Sequence, residues 1–270
     1  MPRSTWNGSL SFGLIHLPIS LYTAVRDQDV SFRQLCPVHK KPISMKRVCA
    51  GEPEGAEEVE TAHEVAHADL VSGFETGPDE FVVLTKADFE RAALPIGKSF
   101  DIRLCVPEAA VDLRFFDKPY LVGPQKPAAA RPYALLREAL RRTGMVAVGV
   151  IALKSRQQVA AIRVMGDALV LHLMHWPDEL VDLGEFSFPA GADLQEAEVG
   201  LAEQLVHSLA GSLATAGFRD EYRENLERLI TARMSGEELE FETAEEPAAT
   251  AVTDLVAILQ ASIAAKKAAA

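Results

Sequence analysis

The N-terminal run GSLSFGLIHLPISLYTAV constrains the fold more than any other segment. Leu10, Phe12 and Leu14 alternate with small residues, and Leu17, Ile19 and Leu21 alternate beyond His16. A period of two belongs to strands with one buried face, because successive side chains of a strand point to opposite sides of the sheet. Pro18 has no N–H to donate, so it marks a register break or a sheet edge. EFVVLT, SFDIRLCV and YLVG read as further short strands, separated by turn-rich segments or short helices such as KADFERA. No Gly-rich phosphate loop and no tandem repeat interrupts them, so the pattern points to a meander or barrel rather than to βαβ units.

Helical periodicity enters later. ARPYALLREALRRTG predicts a helix from near Pro132 to Gly144, with Tyr133, Leu136 and Leu140 on one face and Arg137 and Arg141 a turn apart on another. QQVAAIRVM and ALVLHLMHW follow as two strands joined by a Gly-Asp pair suited to a hairpin turn. The last third is helical, with Leu201, Leu205, Leu209 and Leu213 in register and then Tyr222, Leu226, Leu229 and Ile230. The acidic, Pro-containing SGEELEFETAEEPAAT buries little and reads as a linker. Beyond it VTDLVAILQASIAAKK sets Leu255, Ile258, Leu259 and Ile263 on a stripe, the pattern of a docking peptide or dimer element.

At 270 residues, 48% hydrophobic and 24% charged, the chain can bury a sizeable core. No apolar run approaches the roughly 18 residues of a membrane span, and the N-terminus lacks a signal peptide's apolar core, so a cytosolic protein is expected. Cys36, Cys49 and Cys105 are too few and scattered for a disulfide framework. The net charge of −12 argues against a nucleic-acid partner until it is divided along the chain. Residues 1–50 carry seven Lys/Arg against two Asp/Glu, and 51–113 carry four against fifteen. Residues 114–166 carry ten against two, Asp117 and Glu138, and 167–270 carry six against twenty. Ten cations with two local acids repel one another unless a polyanion is expected, which favours backbone-phosphate binding without sequence readout.

Two metal patterns compete with that reading. His63-Glu64-Val65-Ala66-His67 has the spacing of a zinc metalloprotease, in which two imidazoles one helical turn apart hold Zn²⁺ and the Glu is general base. Its surroundings, EPEGAEEVETA before and VSGFETGPDE after, leave little room for a helix, so two loop histidines are the plainer reading. Cys36, His39 and Cys49 are weak metal candidates, because Glu52 stands where a fourth soft ligand would complete a zinc ribbon. No catalytic triad, carboxylate pair or nucleophile elbow stands out, and His172 and His175 read as structural. The chain is therefore expected not to be an enzyme and to need no cofactor. An acidic scaffold that binds only protein is the remaining alternative.

Taken in order along nearly its full length, the chain resembles bacterial Ku, the DNA-end-binding family of non-homologous end joining. The matching segments are WNGSLSFGLIHLPISLYTA, SFRQLC, KRVC, DLVSGFE with EFVVLTKADFE, FFDKPYLVGP, YALLREAL, AAIRV and HWPDEL. Within that resemblance HEVAH is a local variant of a structural segment, and Cys36, His39 and Cys49 are remnants of a zinc-ribbon-like loop that some members carry. The resemblance implies a mixed α+β protein: a Ku core β-barrel with a bridging insertion (1–190), a helical dimerisation arm (191–235), an acidic linker (236–251) and a ligase-recruiting helix (252–270). It further implies a homodimeric ring threaded by the ends of double-stranded DNA, which recruits a multifunctional end-joining ligase, in the cytoplasm and associated with the nucleoid. Lys118, Lys126, Arg131, Lys154, Arg156 and Arg163 are the expected lining residues, with Arg33, Lys46 and Arg47 as second candidates; Gln158 stands where members often have Arg. Leu255, Ile258, Leu259 and Ile263 would meet the ligase. Many members continue into a long Lys-rich extension, whereas here Lys266, Lys267 and three alanines close the sequence, so little tail-dependent DNA bridging is expected.

Overall fold

The computed structural model describes residues 3–49, 64–78, 80–92, 97–153, 156–189, 194–213, 217–237, 239, 241 and 255–269. Its strands are β1 (Trp6–Phe12), β2 (Ile15–Thr23), β3 (Ser72–Gly77), β4 (Glu80–Leu84), β5 (Ser99–Pro107), β6 (Phe116–Pro124), β7 (Met145–Leu153), β8 (Arg156–Met165) and β9 (Ala168–Met174). The helices are α1 (Lys86–Ala92), α2 (Ala130–Thr143), α3 (Glu196–Ser208), α4 (Glu221–Ser235) and α5 (Leu255–Ala269). The chain forms two compact units, residues 1–27 with 33–181, and residues 28–32 with 182–270. No helix among the described residues is long and apolar enough to cross a membrane.

In the first unit seven strands close into a barrel in the order β1-β2-β6-β9-β8-β7-β5. All neighbours are antiparallel except β1 and β5, whose parallel pairing of Leu10 with Phe100 makes the closure. The N-terminal alternation is realised as a hairpin in which Leu10 pairs with Leu17 and both point into the core. Leu17, Ile19 and Leu21 are buried, and Pro18 sits in the outward register between them. Leu14, expected on the alternating face, lies instead in the β1–β2 turn and is fully solvated, because the turn ends the pleat one residue earlier. The Gly166-Asp167 pair makes the β8–β9 hairpin turn, with Gly166 at φ +55, a conformation that costs glycine nothing.

A one-residue bulge in β5 between Ile102 and Leu104 bends the wall. It presses the Asp101 carbonyl oxygen to 2.0 Å from where a Cβ of Gly149 would stand, so only glycine fits there. α2 packs on β2, β7 and β8 and buries Leu136 and Leu140 in the barrel core. It begins at Ala130, two residues before the expected Pro132, and Pro132 is tolerated because the first turn has no intrahelical use for its N–H. The Tyr133 hydroxyl donates to Val122 O at 2.9 Å and accepts from Leu169 N at 2.8 Å, fixing α2 to β6 and β9. Trp6 Nε1 donates to Ala152 O at 3.0 Å and ties β1 to β7.

Between β2 and β5 the first unit also holds the β3–β4 hairpin and α1. In the second unit α3 packs on α5, and Arg223 Nη1 donates to Gln28 Oε1 at 3.2 Å. α3 ends at Ser208, so Leu209 is its cap and Leu213 lies beyond it, both exposed; the expected leucine stripe is cut short ahead of Gly211.

Candidate nucleic-acid interface

The expected DNA-lining residues divide according to the pleat of β8. Ala160 and Ile162 point into the barrel core, so the two-residue period turns Ala161 and Arg163 outward. Arg156 pairs with Leu153, which packs against the core, and so lies in the inward register at the barrel rim. Arg156 and Arg163 therefore occupy opposite faces of one strand. Lys154 lies outside the described residues.

Arg163 pairs with Val170 of β9, nearly fully buried on the outer wall. Its Nη2 donates to Glu108 Oε1, and its guanidinium carbon lies 5.8 Å from the centroid of the Phe116 ring. That ring in turn packs on His172, centroids 5.0 Å apart. Arg163 Nε and His172 Nε2 are buried atoms with no hydrogen-bond partner. Burial, and secondarily the positive charge of Arg163, hold the His172 imidazole below its usual pKa. Glu108 and Phe116 were not anticipated. Glu108 is 55 residues from Arg163, and only the β5–β7–β8 register brings it alongside.

Four further arginines of the block are paired, three of them with acids that a count within the segment misses. Arg137 Nη1 and Arg141 Nη2 donate to the carbonyl oxygens of Asp167 and Gly166, each at 2.6 Å, and both pair with the Asp167 carboxylate. Arg142 donates to Glu138 at 2.7 Å, and that hydrogen bond, with the neighbouring guanidinium charges, holds the Glu138 carboxyl below the usual carboxylate range. Arg114 pairs with Asp112, whose carboxyl its side-chain and backbone hydrogen bonds keep low, and donates to Val181 O at 3.1 Å. The expectation that only Asp117 and Glu138 offset the block is thus corrected: Glu108, Asp112 and Asp167 flank the segment and fold back onto it.

Lys118, Lys126, Arg131 and Arg156 are exposed and form no ion pair among the described residues. Lys118 lies in the bulge that shifts β6 against β9 between Phe116 and Pro119. Lys126 precedes α2 and Arg131 lies in its first turn, which contains no acidic residue. Cations at a helix N-terminus oppose the macrodipole, so this end of α2 gains from an anion more than an ordinary helix start would. Of the second candidates, Arg33 and Arg47 are exposed, while Lys46 pairs with Glu64 at 2.7 Å.

Glu64–His67 is not helical. Glu64 bridges Val48, Ala66 is extended at φ −67 and ψ 148, and His67 opens a single 3₁₀ turn. The protease motif needs an α-helix to bring its two histidines to one face, and the described residues Glu64–His67 form none, with Glu64 paired to Lys46; His63 lies outside the described residues. Cys36 Sγ stands 3.4 Å from His39 Nδ1 in a tight turn closed by Lys40 N and Cys36 O. Cys49 does not join them: among the described residues no three His, Cys, Asp or Glu side chains converge as metal ligands. On α5, Ile258, Leu259 and Ile263 are half-buried; the side chain of Leu255 lies outside the described residues.

Comparison with known proteins accounts for this barrel. Residues 11–201 match a family model described as the Ku70/Ku80 beta-barrel domain. A Frankia casuarinae protein named non-homologous end joining protein Ku is 38% identical over 267 residues, covering 98% of this chain and 64% of the relative, so the chain spans less than two thirds of that protein. Non-homologous end joining protein Ku 2 of Saccharopolyspora erythraea is 36% identical, covering 97% of this chain and 83% of the relative. The Archaeoglobus fulgidus protein named non-homologous end joining protein Ku is 30% identical, covering 96% and 99%. A closed seven-stranded barrel, helices after it, and a family match over most of the sequence place this chain in the Ku family.

Proposed function

We propose that this chain binds the ends of double-stranded DNA without reading sequence, as a ring-shaped homodimer acting in non-homologous end joining, and that it is not an enzyme. The observation that carries the reading is a Ku-family barrel on which Lys118, Lys126, Arg131 and Arg156 stay exposed and unneutralised in a chain of net charge −12. Such cations suit phosphates: they position a duplex and release its counterions without contacting base edges. Lys154, Arg163, Arg33, Lys46 and Arg47 complete the proposed lining.

A second copy is supported by the β3–β4 hairpin, whose Phe74, Phe81, Val82 and Val83 are all more than half or about half exposed. Residues 1–190 form the DNA-encircling part in this reading, 191–235 the dimerisation arm, and 236–251 the linker. The segment 252–270, which includes α5, recruits the multifunctional ligase through Leu255, Ile258, Leu259 and Ile263. A ring loads only from an end, so topology supplies end recognition. The test is a mobility-shift titration of a blunt linear duplex against excess closed circle of the same sequence. Binding that the circle does not displace upholds threading; equal competition reduces the site to a nonspecific patch, and no binding at all ends the DNA reading.

A further inference from the structure

We infer that Glu108 is a stand-in for a DNA backbone phosphate at Arg163, a carboxylate that occupies the guanidinium in the free chain and leaves it when duplex binds. The inference rests on the DNA reading above and adds to it a residue that opposes binding until displaced.

The geometry of the pair carries it. A guanidinium offers its Nε and Nη2 hydrogens as a parallel fork, and the strongest carboxylate partners accept both. Glu108 takes only Nη2, through one oxygen, and leaves Arg163 Nε buried with no partner. An orphaned charged donor is costly, so the pair is an incomplete solution for this guanidinium. A backbone phosphate, with two anionic oxygens of its own, can replace Glu108 at Nη2 once that side chain turns away.

The surroundings separate a fixed cation from a movable anion. Arg163 lies within β8 opposite Val170 of β9, its guanidinium near the Phe116 ring. Glu108 lies in the 3₁₀ turn after β5, where its backbone is pinned by Glu108 N donating to Gly144 O at 3.1 Å. Only its side chain, 45% exposed against 28% for Arg163, has to turn toward solvent for the exchange. Lys118 lies on β6, which β9 separates from β8, and forms no ion pair among the described residues.

The experiment is a double-mutant cycle on the full chain, with a blunt linear duplex as probe and affinity measured across a range of salt. E108Q, which keeps the shape and removes the charge, is expected to bind about tenfold tighter. R163Q is expected to bind about tenfold more weakly, with its salt slope reduced by about one. The decisive term is the coupling: in the R163Q background, E108Q should change affinity less than about twofold, since the site it vacates no longer exists. R163M, which keeps an unbranched apolar stem but no charge, replaces R163Q if that variant does not fold, and should shrink the E108Q effect likewise. Unchanged or weakened binding by E108Q overturns the inference, as does an E108Q gain that persists without Arg163, which would be general charge removal. A wild-type chain that binds circles as well as ends removes the ring but leaves this cycle readable; a wild-type chain that binds no DNA removes both.

Discussion

Two antiparallel strand pairs in the first unit, β8–β9 and β3–β4, both carry large apolar side chains and meet opposite fates. β8–β9 carries Val, Ala, Leu and Ile, and β3–β4 carries Val and Phe, yet Ile162, Leu169 and Leu171 have no exposed surface, whereas Phe74 and Phe81 keep 64% and 59% of theirs. The difference is in the neighbours. β8 and β9 are interior to a closed sheet, paired on both sides and covered from within by the other strands and α2. β3 and β4 have only each other, and an isolated two-stranded ribbon is marginal in water. Apolar alternation shows that a strand has a face to bury; closure of the sheet decides whether its own chain buries it.

The sharpest test compares one phenylalanine from each region. Phe100→Ala removes a fully buried ring from the closure between β1 and β5 and is expected to cost about 3–5 kcal/mol in urea unfolding. Phe81→Ala is expected to cost less than about 1 kcal/mol at low protein concentration, and to weaken self-association measured by sedimentation. Equal losses for the two variants in dilute protein would mean that the chain itself covers the hairpin. Gly149→Ala probes the barrel differently, since its new methyl meets the Asp101 carbonyl oxygen and the β5 bulge has to shift. About 3 kcal/mol is expected, seen as a fall in Tm; a neutral result would show that the bulge is soft.

How much of this was legible in the sequence follows the same division. The N-terminal hairpin declared itself because its large apolar side chains alternate toward the core, so Leu10, Leu17, Ile19 and Leu21 sort by parity alone. α2 was bounded by Gly144, which takes φ +63 and donates to Leu140 O to close the helix. The parallel closure of β1 on β5 was not legible, since about ninety residues separate the partners and nothing local encodes it. Charge was misread for a related reason. Arg137 and Arg141 meet Asp167 across the β8–β9 turn and Arg163 meets Glu108 across two strands, so a tally along the chain saw an unneutralised block where the fold had supplied acids. Leu209 and Leu213 fit a helical stripe on paper, but periodicity cannot say that α3 stops at Ser208.

A smaller effect tests how α2 is held on the barrel. Tyr133→Phe leaves the ring in place and removes a hydroxyl that serves both Val122 O and Leu169 N. A half-buried backbone donor and acceptor then lose their partner, at an expected cost of about 1–3 kcal/mol in unfolding free energy. Hydrogen exchange locates the loss: the Leu169 amide should exchange faster in the variant while amides of the β7–β8 ladder keep their protection. Uniform acceleration across the barrel would mean that the hydroxyl supports global stability rather than the α2 junction.

The smallest effect is a pH dependence from the outer wall, and its sign follows from His172. Burial first, and the Arg163 charge second, lower its pKa from the ordinary 6.5, so the folded chain binds this proton less readily than the unfolded chain. Stability from the neutral imidazole is therefore complete above about pH 6.5 and is lost as pH falls toward the lower folded value. Thermal melts between pH 7.5 and 5 should show the wild type losing more stability on acidification than His172→Gln, which has nothing to titrate there. R163Q should recover only part of that difference, because desolvation is the larger cause and remains when the charge is gone. Full recovery would instead make the guanidinium the main influence and the wall around Phe116 wetter than its packing indicates. Identical acid losses in wild type and His172→Gln would mean that the outer wall, like the β3–β4 hairpin, is open to water.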